Sequence, residues 1–143
     1  MSYLSFVICS PSIIVLNISL CKDQGYGDEQ IIIMLNQYYK DYSKVKLLGN
    51  HTFTNNSDIV FQIEVETNVK DFNSSMIDAF AVISTLSNVA KTNFTQAVVI
   101  FHFKSNKLPI IAKAKLDCSK KFFIKKTQNE TQWRKNCLSI QTQ

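Results

Sequence analysis

The chain has 143 residues, 45% of them hydrophobic and 19% charged, enough apolar material for one core of ordinary domain size and too much for a disordered chain. With three glycines in the whole sequence, a glycine-rich phosphate-cradling loop is excluded. The net charge of +5 is uneven: acids outnumber bases before Lys104, and the positive excess falls in the last third.

The first stretch, residues 1–21, carries no charge. Apolar runs from Leu4 to Cys9 and from Ile13 to Leu20 flank Ser10-Pro11-Ser12, and Ser19-Leu20-Cys21 offers a small-x-small site just before Lys22. This is the outline of a signal peptide without its positive n-region. The expectation is export to a periplasmic or extracellular space, with 22–143 as a single α+β domain. A retained membrane anchor and a buried segment of a cytoplasmic protein stay open. Pro11 and Asn17 weaken a membrane span, and the run is barely long enough for one.

Gly25-Tyr26-Gly27 reads as a flexible lead into a first helix, from about Asp28 to Tyr42. Asp28 and Glu29 suit the positive end of its dipole, and Ile31, Leu35, Tyr38, Tyr39 and Tyr42 recur at helical spacing. From Lys44 to Thr67 the period changes to alternation. Ile59, Phe61, Ile63 and Val65 oppose Gln62, Glu64 and Glu66, and Asn55-Asn56-Ser57-Asp58 supplies a turn, so the stretch reads as a hairpin.

A second helix is expected from about Asn73 to Ser75 onward, with Ser75 and Asp78 as a capping box. Met76, Ala79, Phe80, Val82, Ile83, Leu86, Val89 and Ala90 share one half of it, and Asp78, Ser84, Thr85, Asn88 and Lys91 the other. Alternation then returns. Ala97, Val99, Phe101 and Phe103 point opposite to Val98, Ile100, His102 and Lys104, and after Ser105-Asn106-Lys107 a further strand places Ile110, Ala112, Ala114 and Leu116 opposite Ile111, Lys113, Lys115 and Asp117. In the last segment Thr127 and Glu130 suggest another capping box, opening a short helix with Trp133, Cys137 and Ile140 on one side.

The order α-β-β-α-β-β(-α) predicts a four-stranded, mainly antiparallel sheet with the helices packed on one face. Phe61, Ile63, Phe80, Ile83, Leu86, Val99, Phe101 and Ile110 are expected to be buried. If residues 1–21 are removed, Cys118 and Cys137 remain, and in an oxidising compartment they could form one disulfide; two separate buried thiols are the alternative.

Catalytic constellations are thin. His51 and His102 stand in no nucleophile or metal motif, Glu64 and Glu66 could act as a pair on one strand face, and a Cys118–His102 pair has no local support. No metal site, cofactor or catalytic residue is expected. The strongest functional pointer is a basic surface of His102, Lys104, Lys113, Lys115, Lys120 and Lys121, suited to an anionic macromolecular partner. One arginine and inward-facing phenylalanines argue against specific nucleic-acid readout. A lysine-protected sheet edge is the plainer use of the same charges. Membrane contact is expected only through the N-terminal segment, and association of two copies stays open. These features point to an exported, non-enzymatic interaction module; the alternative is a small-ligand-binding or enzymatic domain with a pocket between sheet and helix, using His102 or Glu64. Asn-x-Ser/Thr sequons stand at Asn17, Asn50, Asn55, Asn73, Asn93 and Asn129, more than composition predicts; they suit glycans on a eukaryotic secreted chain, and the plainer reading is that most are turns and helix caps, where Asn, Ser and Thr are favoured for local hydrogen bonding.

Overall fold

The computed structural model describes residues 25–142; the candidate signal or anchor segment and the sequon at Asn17 lie outside the described residues. Helix α1 spans Asp28–Asp41 and is followed by β1 (Lys46–Asn55) and β2 (Asp58–Thr67). A 3-10 turn, Val69–Asp71, leads into α2 (Phe72–Val89), and then come β3 (Gln96–Phe103) and β4 (Ile110–Lys115). Two short helices, α3 (Leu116–Phe123) and α4 (Glu130–Asn136), precede β5 (Leu138–Thr142).

The class is α+β, but the sheet has five strands rather than four and is mixed. Strand order follows chain order, β1-β2-β3-β4-β5. The pairs β1/β2, β3/β4 and β4/β5 are antiparallel, whereas β2/β3 is parallel. The parallel junction follows from α2. Its 18 residues span about 27 Å at 1.5 Å per residue, which returns the chain to the end where β2 began. The next strand, laid beside β2, must then run in the same direction.

Alternation is realised as the sequence requires. Phe61, Ile63, Val65, Ala97, Val99, Phe101 and Phe103 are buried, and His102 lies on the other face. Ile110 is only half-buried, since it pairs with Thr142 at the rim of the sheet. In the first hairpin Asn55 pairs with Asp58 around Asn56-Ser57. Asn56 adopts φ 56°, a left-handed conformation that Asn tolerates better than most residues.

Helix α2 departs from a two-faced cylinder. Ser75, Ser84 and Ser87 are buried along with its apolar residues, because α2 lies on the sheet with α1 beside it and α3 packed against it. Ser75 is therefore not a cap. The N-cap position is Asp71, and the Ser75 hydroxyl is 2.7 Å from that of Thr67.

The lead-in at 25–27 is pinned. Tyr26 is buried, accepts the Lys91 amide and donates its own to Val89 O, both at 2.8 Å. Gly25, at φ +60°, has no room for a side chain: a Cβ there would lie 3.0 Å from the Lys91 backbone.

The C-terminal segment differs most from expectation. β4 stops at Lys115, and Leu116 opens α3, where Asp117 in the first turn and Lys120 and Lys121 in the last suit the helix dipole. α4 is capped by Asn129 and Gln132, each side chain bonding the other's amide at 2.8 Å, in place of Thr127 and Glu130. Trp133 and Cys137 point inward as expected, but the helix ends at Asn136, and Ile140 sits on β5, 43% exposed. A disulfide joins Cys118 to Cys137, with Cα atoms 5.5 Å apart.

Candidate functional site

Period-two alternation sends alternate side chains of every strand away from the helices, and no element among the described residues covers that second face. Its centre is apolar. Phe53, Val60, Val98, Ile100 and Ile111 come from four adjacent strands and, with Asn55, Gln62, Gln96 and Lys113, line a groove of about 180 Å³. Val60 and Val98 are 1% and 6% exposed, although no helix among the described residues lies over them.

Charge is segregated across this face. At one corner Lys113 pairs with Val98 and Lys115 with Gln96. Lys115 and Lys121 share an adjoining depression of about 380 Å³ with Asp58, Thr95, Asp117 and Cys118. At the opposite corner stand Glu64, Glu66 and His102, and His102 Nε2 lies 2.8 Å from Glu64 Oε1. The six residues of the expected basic surface thus do not form one patch but fall into three places. Lys113, Lys115 and Lys121 lie together, with Lys120 half-buried on α3. His102 sits six residues along β3 from Gln96, about 20 Å away at the rise of a strand, and Lys104 lies beyond the end of β3.

Lys104 belongs to a third region that the sequence does not reveal. A cleft of about 540 Å³ at one end of the sheet is lined by Lys44, Lys70 and Lys104 together with Glu66, Asp71 and Asp78. These residues come from distant segments, so no local motif announces them. Beside it the Tyr38 hydroxyl donates to Asp78. Burial, then that hydrogen bond and the nearby carboxylate, push the Tyr38 phenol well above its usual range; burial with the Asp78 charge does the same to Tyr39.

The catalytic alternatives find little geometry. Glu64 and Glu66 share a strand face as expected, but Glu64 is engaged by His102 on the side away from the helices, while Glu66 instead lines the cleft that it shares with Asp71 and Asp78. Cys118 is bonded to Cys137, which removes it as a nucleophile partner for His102. The layer between sheet and helices is filled: Trp133, Phe61, Phe80, Phe94 and Phe101 are each at most 1% exposed. Among the described residues no group of three or more His, Cys, Asp or Glu could hold a metal ion, and no helix is long and apolar enough to cross a membrane. No family model, curated protein or solved structure matches this chain.

Proposed function

We propose that this protein is an exported, non-enzymatic interaction module that holds a macromolecular partner against the uncovered face of its sheet. One observation carries the reading: an apolar groove of about 180 Å³ runs directly into the corner formed by Lys113 and Lys115. A partner matching it presents an apolar strip flanked by carboxylates or other anionic groups. The apolar contact supplies affinity, and the lysines supply orientation and association rate. The Cys118–Cys137 disulfide fits an oxidising compartment, and the filled sheet–helix layer favours surface contact over an internal pocket.

The test uses tagged full-length protein recovered from its native cells and medium. Reversing Lys113 and Lys115 to Glu should remove its specific partner, and the parent's association should weaken steeply with salt. Stability should change by only about 0.5 kcal/mol, as for surface charges generally. The same partner retained by the double variant, with no dependence on salt, overturns the reading. The mass of the recovered chain reports in parallel whether it begins after Cys21.

Small-ligand binding is a second reading, favoured by the cleft around Lys44, Lys70 and Lys104. It predicts a small anionic or zwitterionic compound that raises the melting temperature of the parent and not of a Lys70→Ala/Lys104→Ala variant.

A further inference from the structure

Six of the twelve asparagines open an Asn-x-Ser/Thr sequon, where 23 Ser and Thr among 143 residues would place about two. Five of the six fall within the described residues, and all five side chains, Asn50, Asn55, Asn73, Asn93 and Asn129, are exposed. Of the six asparagines that head no sequon, Asn36, Asn56, Asn106 and Asn136 are exposed and Asn68 and Asn88 half-buried, so the excess number of sequons carries more weight than their exposure. Position adds a second regularity. Asn73 lies in the first turn of α2, Asn93 in the loop before β3, and Asn129 at the N-cap of α4. Asn50 pairs with Ile63 and so sits on the helix-side face of β1. Asn50 and Asn73 thus lie on the helix side and Asn93 and Asn129 in segments that precede β3 and α4, whereas Asn55, at the tip of the first hairpin, lines the groove of the uncovered face.

From this distribution we infer that the protein is N-glycosylated on Asn50, Asn73, Asn93 and Asn129, so that sugars clothe the helix side and the ends of the sheet while the uncovered face stays bare. The inference rests on the export reading and deepens it, because a sugar-free face is the one left for a partner. In the transfer, Asn Nδ2 bonds to the anomeric carbon of an oligosaccharide carried on a lipid diphosphate. The carbon–oxygen bond to the diphosphate breaks, the lipid diphosphate leaves with the electron pair, and the amide proton passes to a base. The reaction acts on the chain before it folds, so the buried hydroxyl of Ser75 in the Asn73 sequon is no obstacle. In the folded protein only the Asn side chain needs room, and each of the four has it. Asn129 keeps its cap, since its Oδ1 accepts the Gln132 amide while Nδ2 carries the sugar.

The glycan at Asn50 has a physical use. β1 is an outer strand of ten residues with a single lysine, Lys46, and no proline, few of the usual guards against pairing with another chain. A bulky hydrophilic group at its centre would supply one.

The test is the intact mass of full-length protein recovered from its native cells and medium, before and after peptide N-glycosidase. The expected result is a heterogeneous mass above that of the polypeptide, collapsing on digestion to one mass with Asp at the modified positions. Asn50→Gln, Asn73→Gln and Asn93→Gln should each remove one mobility step. At the α4 cap Thr131→Ala should do so while leaving Asn129 in place. Exported chain with the Cys118–Cys137 bond intact and the bare polypeptide mass overturns the inference and leaves export standing. Reduced, unmodified chain confined to the cytoplasm overturns both.

Discussion

The hydroxyls of Thr67 and Ser75, at the last residue of β2 and in the first turn of α2, lie 2.7 Å apart in a buried pocket of the fold. This bond ties the sheet to its crossover helix where the chain turns from one to the other. Removing one partner leaves the other hydroxyl desolvated, which costs about 1–3 kcal/mol. Ser75→Ala and Thr67→Val should each lower unfolding free energy by that order, while the double variant should lose less than the sum of the two. Additive losses in a urea double-mutant cycle would show that the hydroxyls are not coupled.

Ser84 and Ser87 present the opposite case. Their Oγ atoms are buried without a hydrogen-bond partner among the described residues. Ser84→Ala removes an unsatisfied hydroxyl and gains helix propensity, so it should stabilise the protein by about 1 kcal/mol. A fall in melting temperature would mean that the hydroxyl has a partner after all.

The Cys118–Cys137 bond closes a loop of sequence separation 19, for which the chain-entropy argument gives roughly 3 kcal/mol. Replacing both cysteines by serine should lower stability by that amount. The emission of Trp133, the one tryptophan of the chain, should report the change, since its indole is buried and donates to Ser119 Oγ at 2.9 Å. Unfolding midpoints equal with and without the bond would contradict the estimate.

Alkaline pH should weaken the fold through α1. Tyr38 and Tyr39 both titrate above the usual value of 10.0, so between that value and their folded values the unfolded chain has lost protons that the native chain keeps. Stability then falls as pH rises. The contribution is complete below pH 10 and disappears above it. Tyr39→Phe should flatten the decline measured by denaturant unfolding from pH ~8 to ~11; a slope identical to the parent's would assign the alkaline loss to other groups.

Much of the architecture was legible because amphipathic period is a local signal. Ile31, Leu35 and Tyr39 fixed α1 and its buried side, and the alternation through Phe61, Ile63 and Val65 and through Val99, Phe101 and Phe103 fixed the faces of β2 and β3. What failed was non-local or short. Ser84 reads as polar surface, and only its packed surroundings bury it. Leu138–Thr142 has no strong alternation of its own and becomes a strand because β4 offers it an edge. α3 is hidden in a lysine-rich run, although Leu116, Ser119 and Phe123 already stand at i, i+3 and i+7. For the candidate surface, the sequence shows which strand face Lys113, Lys115 and His102 share but not the distance along the strands that separates them. The cleft at Lys44, Lys70 and Lys104 is assembled entirely by the fold.

Spatial order that follows chain order has a consequence for how the molecule is made. A polypeptide delivered amino end first can pair β1 with β2, lay down α2 and dock β3 using only residues already released, with no slot inside the sheet waiting for a late arrival. The exception is the far rim of β4, which is closed only when Leu138–Thr142 emerges. Cys118 likewise has no intended partner until Cys137 follows it. Pairing of β5 with β4 and closure of the Cys118–Cys137 bond therefore wait on the same stretch of chain, residues 137–142. A chain held just short of residues 137–142 would display an unpaired β4 rim and a free Cys118 thiol together.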